Sequence, residues 1–377
     1  MRLITKTKYP TYKLGDVAEI INGKNQKEVV SSQGEYPIYG SGGIIGRAID
    51  YLCKENSTII GRKGTIDSPI FVNQKFWNVD TAFGIQPSDK ILPRYLFFFC
   101  KSFDFKKLDK STTIPSLAKR DLLQIPIPLP PLPTQHQIVS RIESLFAELD
   151  KAVEHLRTAQ QQLKTYRQAV LNHWLNNEDG KWETVKLGEV IEVKDGTHDT
   201  PKYVQSGIPF VTQKNITESG ISFSNVQYIT EQDHLKFHER SNVAQNDILI
   251  AMIGANRGNA TIVNTDIIFS IKNVGLLKHT PNVFNNKFLL FYLRSQESIN
   301  YIKKQSKGGA QEFIGLKELR NFPIFLPPLP EQQRIVKEIE TRLSQAEAAE
   351  ARIAEALQKT EALRQSILKK AFSGELV

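Results

Sequence analysis

The apolar residues Ile138, Ile142, Leu145, Leu149, Ala152, Leu156, Ala159, Leu163, Tyr166 and Val170 advance by alternate steps of four and three. That alternation is the seam of a coiled coil, sustained here over more than about four heptads. A second stretch, Ile335, Ile339, Ala346, Ala349, Ile353, Ala356, Leu363 and Ile367, keeps the same register. It is thinner: Arg342 and Thr360 interrupt it, and Leu343 and Leu357 widen the apolar stripe. A helix of about 40 residues rises about 60 Å, and neither helix can bury such a seam alone. The pattern predicts two long helices pairing with each other as an antiparallel coiled coil.

The two stretches are copies. Leu129-Pro-Pro-Leu-Pro133 leads the first and Leu326-Pro-Pro-Leu-Pro330 leads the second, 197 positions later. At the same offset Pro126, Gln135, Ile142, Arg167, Gln168 and Leu171 recur as Pro323, Gln332, Ile339, Arg364, Gln365 and Leu368. Prolines are poorly tolerated inside helices and central strands, so 126–133 reads as a stiff extended spacer. Thr134 suits a helix N-cap, and Glu331 suits the positive end of a helix dipole.

Upstream of each spacer the period changes. Residues 1–11 read as a loose lead-in, then Lys13-Leu-Gly-Asp-Val17 opens a segment rich in Gly, Ile, Val and Phe. Lys186-Leu-Gly-Glu-Val190 opens its counterpart at an offset of 173, so the second globular segment is longer by the 24-residue difference between offsets. Short apolar runs bounded by turn residues predict strands in the first segment at 36–46 (a hairpin), 57–64 (a short strand ending in a basic Gly turn), 69–72 and 81–85, with a helix at 93–103. In the second they predict strands at 208–212, 247–253, 259–263 and 267–270, with a helix over 284–302. The fold class is α+β: two globular α/β domains in tandem (1–125 and 179–322), each followed by spacer and long helix (126–178 and 323–377).

Composition narrows the function. The 377 residues carry a formal charge of +9, with a pI near 9.3, which favours a polyanionic partner, nucleic acid before a membrane surface. No apolar run approaches the ~20 residues of a membrane span. Met1–Lys6 lacks a signal-peptide core, which points to the cytosol. Cys53 and Cys100 are too few for a disulfide framework and read as buried apolar residues.

With both copies laid out, the chain resembles the specificity subunit of type I DNA restriction-modification systems. The resemblance rests on the tandem domain–helix order, LPPLPTQHQIV (129–139), LPPLPEQQRIV (326–336) and the closing run Leu368-Lys-Lys-Ala-Phe-Ser-Gly-Glu-Leu376. KLGDV (13–17), KLGEV (186–190) and Asp195-Gly-Thr-His-Asp-Thr-Pro-Lys-Tyr203 fit as well. The first domain lacks the last of these, so its reader is expected to be of another type. The resemblance implies that each globular domain is a target-recognition domain reading one half of a split, asymmetric DNA site, with the helices setting the gap. It implies docking of two methylation subunits, and of restriction subunits, with S-adenosylmethionine, ATP and magnesium held by those partners and no cofactor on this chain.

Catalytic and cofactor motifs are missing. There is no GxxxxGK(S/T) loop, and Gly40–Gly46 fails GxGxxG because Ile45 stands at the third glycine. Glu192-Val-Lys194 has a nuclease-like ExK spacing without its preceding Pro-Asp, and the histidines make no metal-ligand spacing. His234 and His238 read as a solvated pair. Base and phosphate recognition needs Arg, Lys, Asn, Gln, Ser and Thr on turns. The first-domain candidates are Asn25, Gln26, Lys27, Arg62, Lys63, Lys110, Ser111 and Thr112; the second-domain ones are Thr197, His198, Lys202, Lys214, Asn215, Asn256, Arg257, Lys304, Lys307 and Gln311. Gln160, Gln161, Lys164, Arg352, Glu355 and Lys359 read as a solvated helix face, which the resemblance makes a candidate for methylation-subunit contact. Two other readings stand beside this one: a coiled-coil scaffold without DNA affinity, and a DNA-modifying enzyme in its own right.

Overall fold

A computed structural model of the protein describes residues 7–177, 179–309 and 312–377. The chain divides into two compact units: one runs up to Thr158 and takes in Ile353–Val377, the other is Ala159–Arg352. Each long helix, Leu132–Leu175 and Leu329–Ser373, therefore contributes to both.

The globular parts share one strand plan. In the first, an antiparallel four-stranded sheet runs in the order Ala18–Asn22, Ala82–Pro87, Ser57–Gly61, Ile70–Val72. In the second the order is Val193–Asp195, Val274–Leu277, Ile248–Ala251, Ala260–Ile262, again antiparallel. Each domain adds a three-stranded sheet whose middle strand pairs antiparallel on one side and parallel on the other. These middle strands are Tyr36–Gly40 and Ile208–Thr212. The two domains are thus built on one scaffold. The lengths differ mainly in two connections, 41–42 against 213–226 and 49–56 against 230–247.

The repeated motifs now have physical reasons. In KLG(D/E)V the leucine is fully buried (Leu14, Leu187), and the carboxylate accepts the backbone N–H of Lys13 or Lys186 at 3.2 Å. The glycine leaves room for a neighbouring short helix. A Cβ at Gly15 would meet Leu123 at 2.9 Å, and one at Gly188 would meet Arg320 at 2.8 Å. Gln135 and Gln332, 1% and 0% exposed, tie each long helix to its own domain. Gln135 Oε1 accepts from Leu92 N, and its Nε2 donates to Lys90 O and Pro130 O. Gln332 repeats the set with Asn285 N, Val283 O and Pro327 O.

The spacers are shorter than expected. Pro126–Pro128 is a strand paired with Thr11–Lys13, and Pro323–Leu326 pairs with Glu183–Lys186. The lead-in is thus partly ordered, while Met1–Lys6 lie outside the described residues. The helix starts at Leu132, so Thr134 sits in its first turn rather than at the cap. Glu331 is in the first turn of the second helix, as expected.

Within each unit the helices run antiparallel, and the seam departs from its heptads. Ile138 and Ile142 join Ile367, Leu368 and Phe372 in the first domain's core. Val170 and Leu171 join Ile335 and Ile339 in the second. Ala152, Tyr166 and Leu363 face outward instead. An unsupercoiled helix drifts from a strict seven-residue repeat, which brings the neighbouring residue inward. Those neighbours are Arg167 and Arg364, equivalent across the repeat. Arg167 binds Glu350 at 2.9 Å, and Arg364 pairs with Asp150 while lying 4.9 Å from the Phe146 ring centre. The two interruptions of the thin seam are also occupied. Arg342 stacks over Trp174 at 5.0 Å, and buried Thr360 bonds its own helix at Ala356 O.

Three further expectations shift. The strand expected at 267–270 is Ser270–Lys272, leaving Ile267 and Ile268 exposed. The helix expected over 284–302 breaks into Asn286–Leu293 and Gln296–Gln305, because Ser295 Oγ accepts Ser298 N and caps a new start. His234 is buried, with Nδ1 2.8 Å from Ser270 Oγ and its ring 5.2 Å from His238. Burial first, and the His238 ring second, push its pKa below the ordinary histidine value. No described helix is long and apolar enough to cross a membrane.

Candidate nucleic-acid interface

In the first domain the central strand Ser57–Gly61 is buried throughout and ends in a forced turn. A Cβ at Gly61 would lie 1.9 Å from Thr65 O, and Gly64 adopts φ +82°. The loop ahead of the spacer straps this turn: Gly64 N donates to Pro115 O, and Leu117 N to Arg62 O, both at 2.9 Å. Arg62 and Lys63 thereby share one edge with the loop bearing Lys110, Ser111 and Thr112. The hairpin tip at Ser41 adjoins the same turn, its Oγ 3.5 Å from where a Gly64 Cβ would stand.

The second domain builds the same edge. Ile248–Ala251 is the buried central strand, and Gly254 adopts φ +75°. Gly254 N donates to Glu312 O, and Ile314 N to Met252 O, both at 2.9 Å. Asn256 and Arg257 thus meet the loop carrying Lys307. Lys110 binds Asp121 at 2.9 Å, and Lys307, its repeat equivalent, binds Glu318 at 2.6 Å. These lysine bonds hold the Asp121 and Glu318 carboxyls below the usual carboxylate range.

The candidates separate by what their side chains already do. Gln26, Lys27, Lys63, Thr112, Lys202, Lys214, Asn256 and Lys304 make no side-chain bond among the described residues, and all but half-buried Gln26 are exposed. Asn25 Oδ1 accepts Lys27 N, and Asp109 holds Ser111 through both N and Oγ, so these two shape turns. Arg62 leans over the Phe83 ring at 5.8 Å. Besides Lys307, four second-domain candidates are committed internally. Thr197 is buried, and buried Asn215 serves Thr212 and Ser222 O. Arg257 binds Ser306, Gly254 O and Glu312. His198 places Nε2 2.9 Å from Asp195 and Nδ1 2.7 Å from Asn273, while Arg240 holds the other Asp195 oxygen. Gln311 lies outside the described residues.

The sequence reading passed over Gln213, Asn225, Gln227 and Lys272, which line a cleft of about 610 Å³ in the second domain. The first three were marked only by a polar, turn-rich run after an apolar strand, and Lys272 ends a strand.

Residues 6–156 and 179–359 match the family model described as the type I restriction modification DNA specificity domain. The chain belongs to this family. It is 27% identical to the Type I restriction enzyme EcoBI specificity subunit of Escherichia coli, over 86% of the chain and 75% of that relative. It is 26% identical to the MjaVIII specificity subunit of Methanocaldococcus jannaschii, over 87% and 84%. Two solved structures share the fold at 20% identity. One, from work on assembly and conformational transition of the type I R-M system, has a TM-score of 0.75 over 97% of this chain and 98% of its own. The HsdS subunit of Thermoanaerobacter tengcongensis has a TM-score of 0.59 over 97% of each chain. Each matched stretch takes in one domain and most or part of the long helix that follows it.

Proposed function

We propose that this type I specificity subunit reads a bipartite, asymmetric DNA target and directs methylation and restriction subunits to it without itself being catalytic. One observation carries the reading: a single chain holds two domains of the same strand plan, with the same strapped edge bearing different residues. Two unlike readers on one chain suit an interrupted asymmetric sequence, whereas a symmetric dimer suits a palindrome. The net charge of +9 supports a phosphate-bearing partner. Two methylation subunits are assigned to the helix pair, at the faces carrying Gln160, Lys164, Arg352 and Lys359. S-adenosylmethionine, ATP and magnesium are assigned to the partners, and the place of action to the cytoplasm, where the DNA is.

The test is binding to duplex DNA, by the chain alone and with its methylation subunits, across a salt series. Phosphate contacts make log affinity fall linearly with log salt. Salt-insensitive or absent binding in both cases would leave the scaffold reading. Methyl transfer by the purified chain alone, from a labelled donor, would establish the enzyme reading instead.

A further inference from the structure

The two domains differ most informatively at one place on their common scaffold. Between the antiparallel strands of the three-stranded sheet, the first domain has the two-residue turn 41–42, and the second has 213–226. In the first, Ser41 of the short turn adjoins the Arg62–Gly64 turn, and the strand that follows exposes Ile44 and Ile45 by 63% and 58%. In the second, the longer connection walls the 610 Å³ cleft. The side chains of Gln213, Lys214, Asn225 and Gln227 line that cleft and bond to nothing among the described residues. The connection is also fastened to the strapped edge. Arg294 donates to Glu218 O at 2.7 Å and to Ala260 O at 2.9 Å, joining it to the strand that follows the Asn256 turn.

Unpaired carboxamides held by a fixed backbone are the groups that form paired hydrogen bonds with base edges, adenine foremost, and exposed aliphatic side chains suit thymine methyls. A lysine on the rim suits phosphate. Resting on the DNA-reading function above, we infer that this connection, together with the strand residues that follow it directly, determines which bases each domain reads. In the second domain Gln213, Asn225 and Gln227 contact base edges and Lys214 a phosphate; in the first, Ile44 and Ile45 supply the apolar contact. Buried Asn215 holds the cleft wall and reads nothing.

The experiment assembles the full chain with its methylation subunits and maps modified positions over genomic DNA. Three chains are compared: wild type, Gln213→Ala/Gln227→Ala and Ile44→Ala/Ile45→Ala. The first pair is expected to lose about tenfold or more of its discrimination at one or more positions of one half-site, and the second pair at the other half-site only. A variant that no longer modifies is scored by binding to the mapped duplex and its single-base changes, with thermal melting to confirm its fold. Folded variants with an unchanged motif, or both pairs affecting the same half, would overturn the inference. A wild-type assembly that showed no interrupted motif would overturn the function beneath it.

Discussion

At the residue scale, what a side chain is already doing decides what else it can do. Lys63 and Lys214 are exposed and unpaired, so replacing either with Ala should weaken binding evenly across sequences and lower the salt slope by about one. A fluorescence-anisotropy salt series checks this; a change of base preference with the slope intact would contradict it. Asn215→Ala should instead cost about 1–3 kcal/mol of stability, because Thr212 N and Ser222 O lose their partner. Denaturant melting reads that cost, and a stable variant with altered base preference would contradict the role given to Asn215. Residue types on turns were legible in the sequence, but commitments were not. Asn215, Arg257 and His198 looked as available as Lys214, since their partners come from distant strands and loops that only the fold brings near.

At the element scale, periodicity gave the long helices and KLG gave the domain openings, while element ends were decided by local capping. Ser295 and Asn285 start helices where the apolar pattern alone runs on. The seam was legible as a stripe but not in rotation, because one step of drift separates Tyr166 from Arg167 and Leu363 from Arg364. Removing the Arg167–Glu350 pair should therefore matter modestly. At 29% and 33% exposed, a double-mutant cycle is expected to give about 0.5–1 kcal/mol. A coupling near zero would demote the pair to a solvated contact. The second domain should also be pH-sensitive through His234. Its folded pKa is depressed, so its contribution is complete above the unfolded value of about 6.5 and is lost as pH falls below that. Melting at pH 7.5 and 5.5 should show a drop that is smaller in His234→Gln; an equal drop would place the sensitivity elsewhere.

At the scale of the whole molecule, the sequence repeat already contained the architecture: two domains, two helices, one plan. The sharing of the helices was hidden. Ile138 and Ile367, far apart in the chain, fill one core, and Val170 and Ile335 the other, so each domain is completed by the start of one long helix and the end of the other. If those helices set the half-site gap, inserting one turn into both should lengthen the gap and leave the bases read unchanged. Four residues add about 6 Å, under two base-pair steps of about 3.4 Å each. The most direct test of the central claim is to map methylated positions in genomic DNA modified by the chain with its methylation subunits. The account predicts one asymmetric motif of two specified halves across a fixed unspecified gap. A contiguous or palindromic motif, or modification indifferent to sequence, would contradict it.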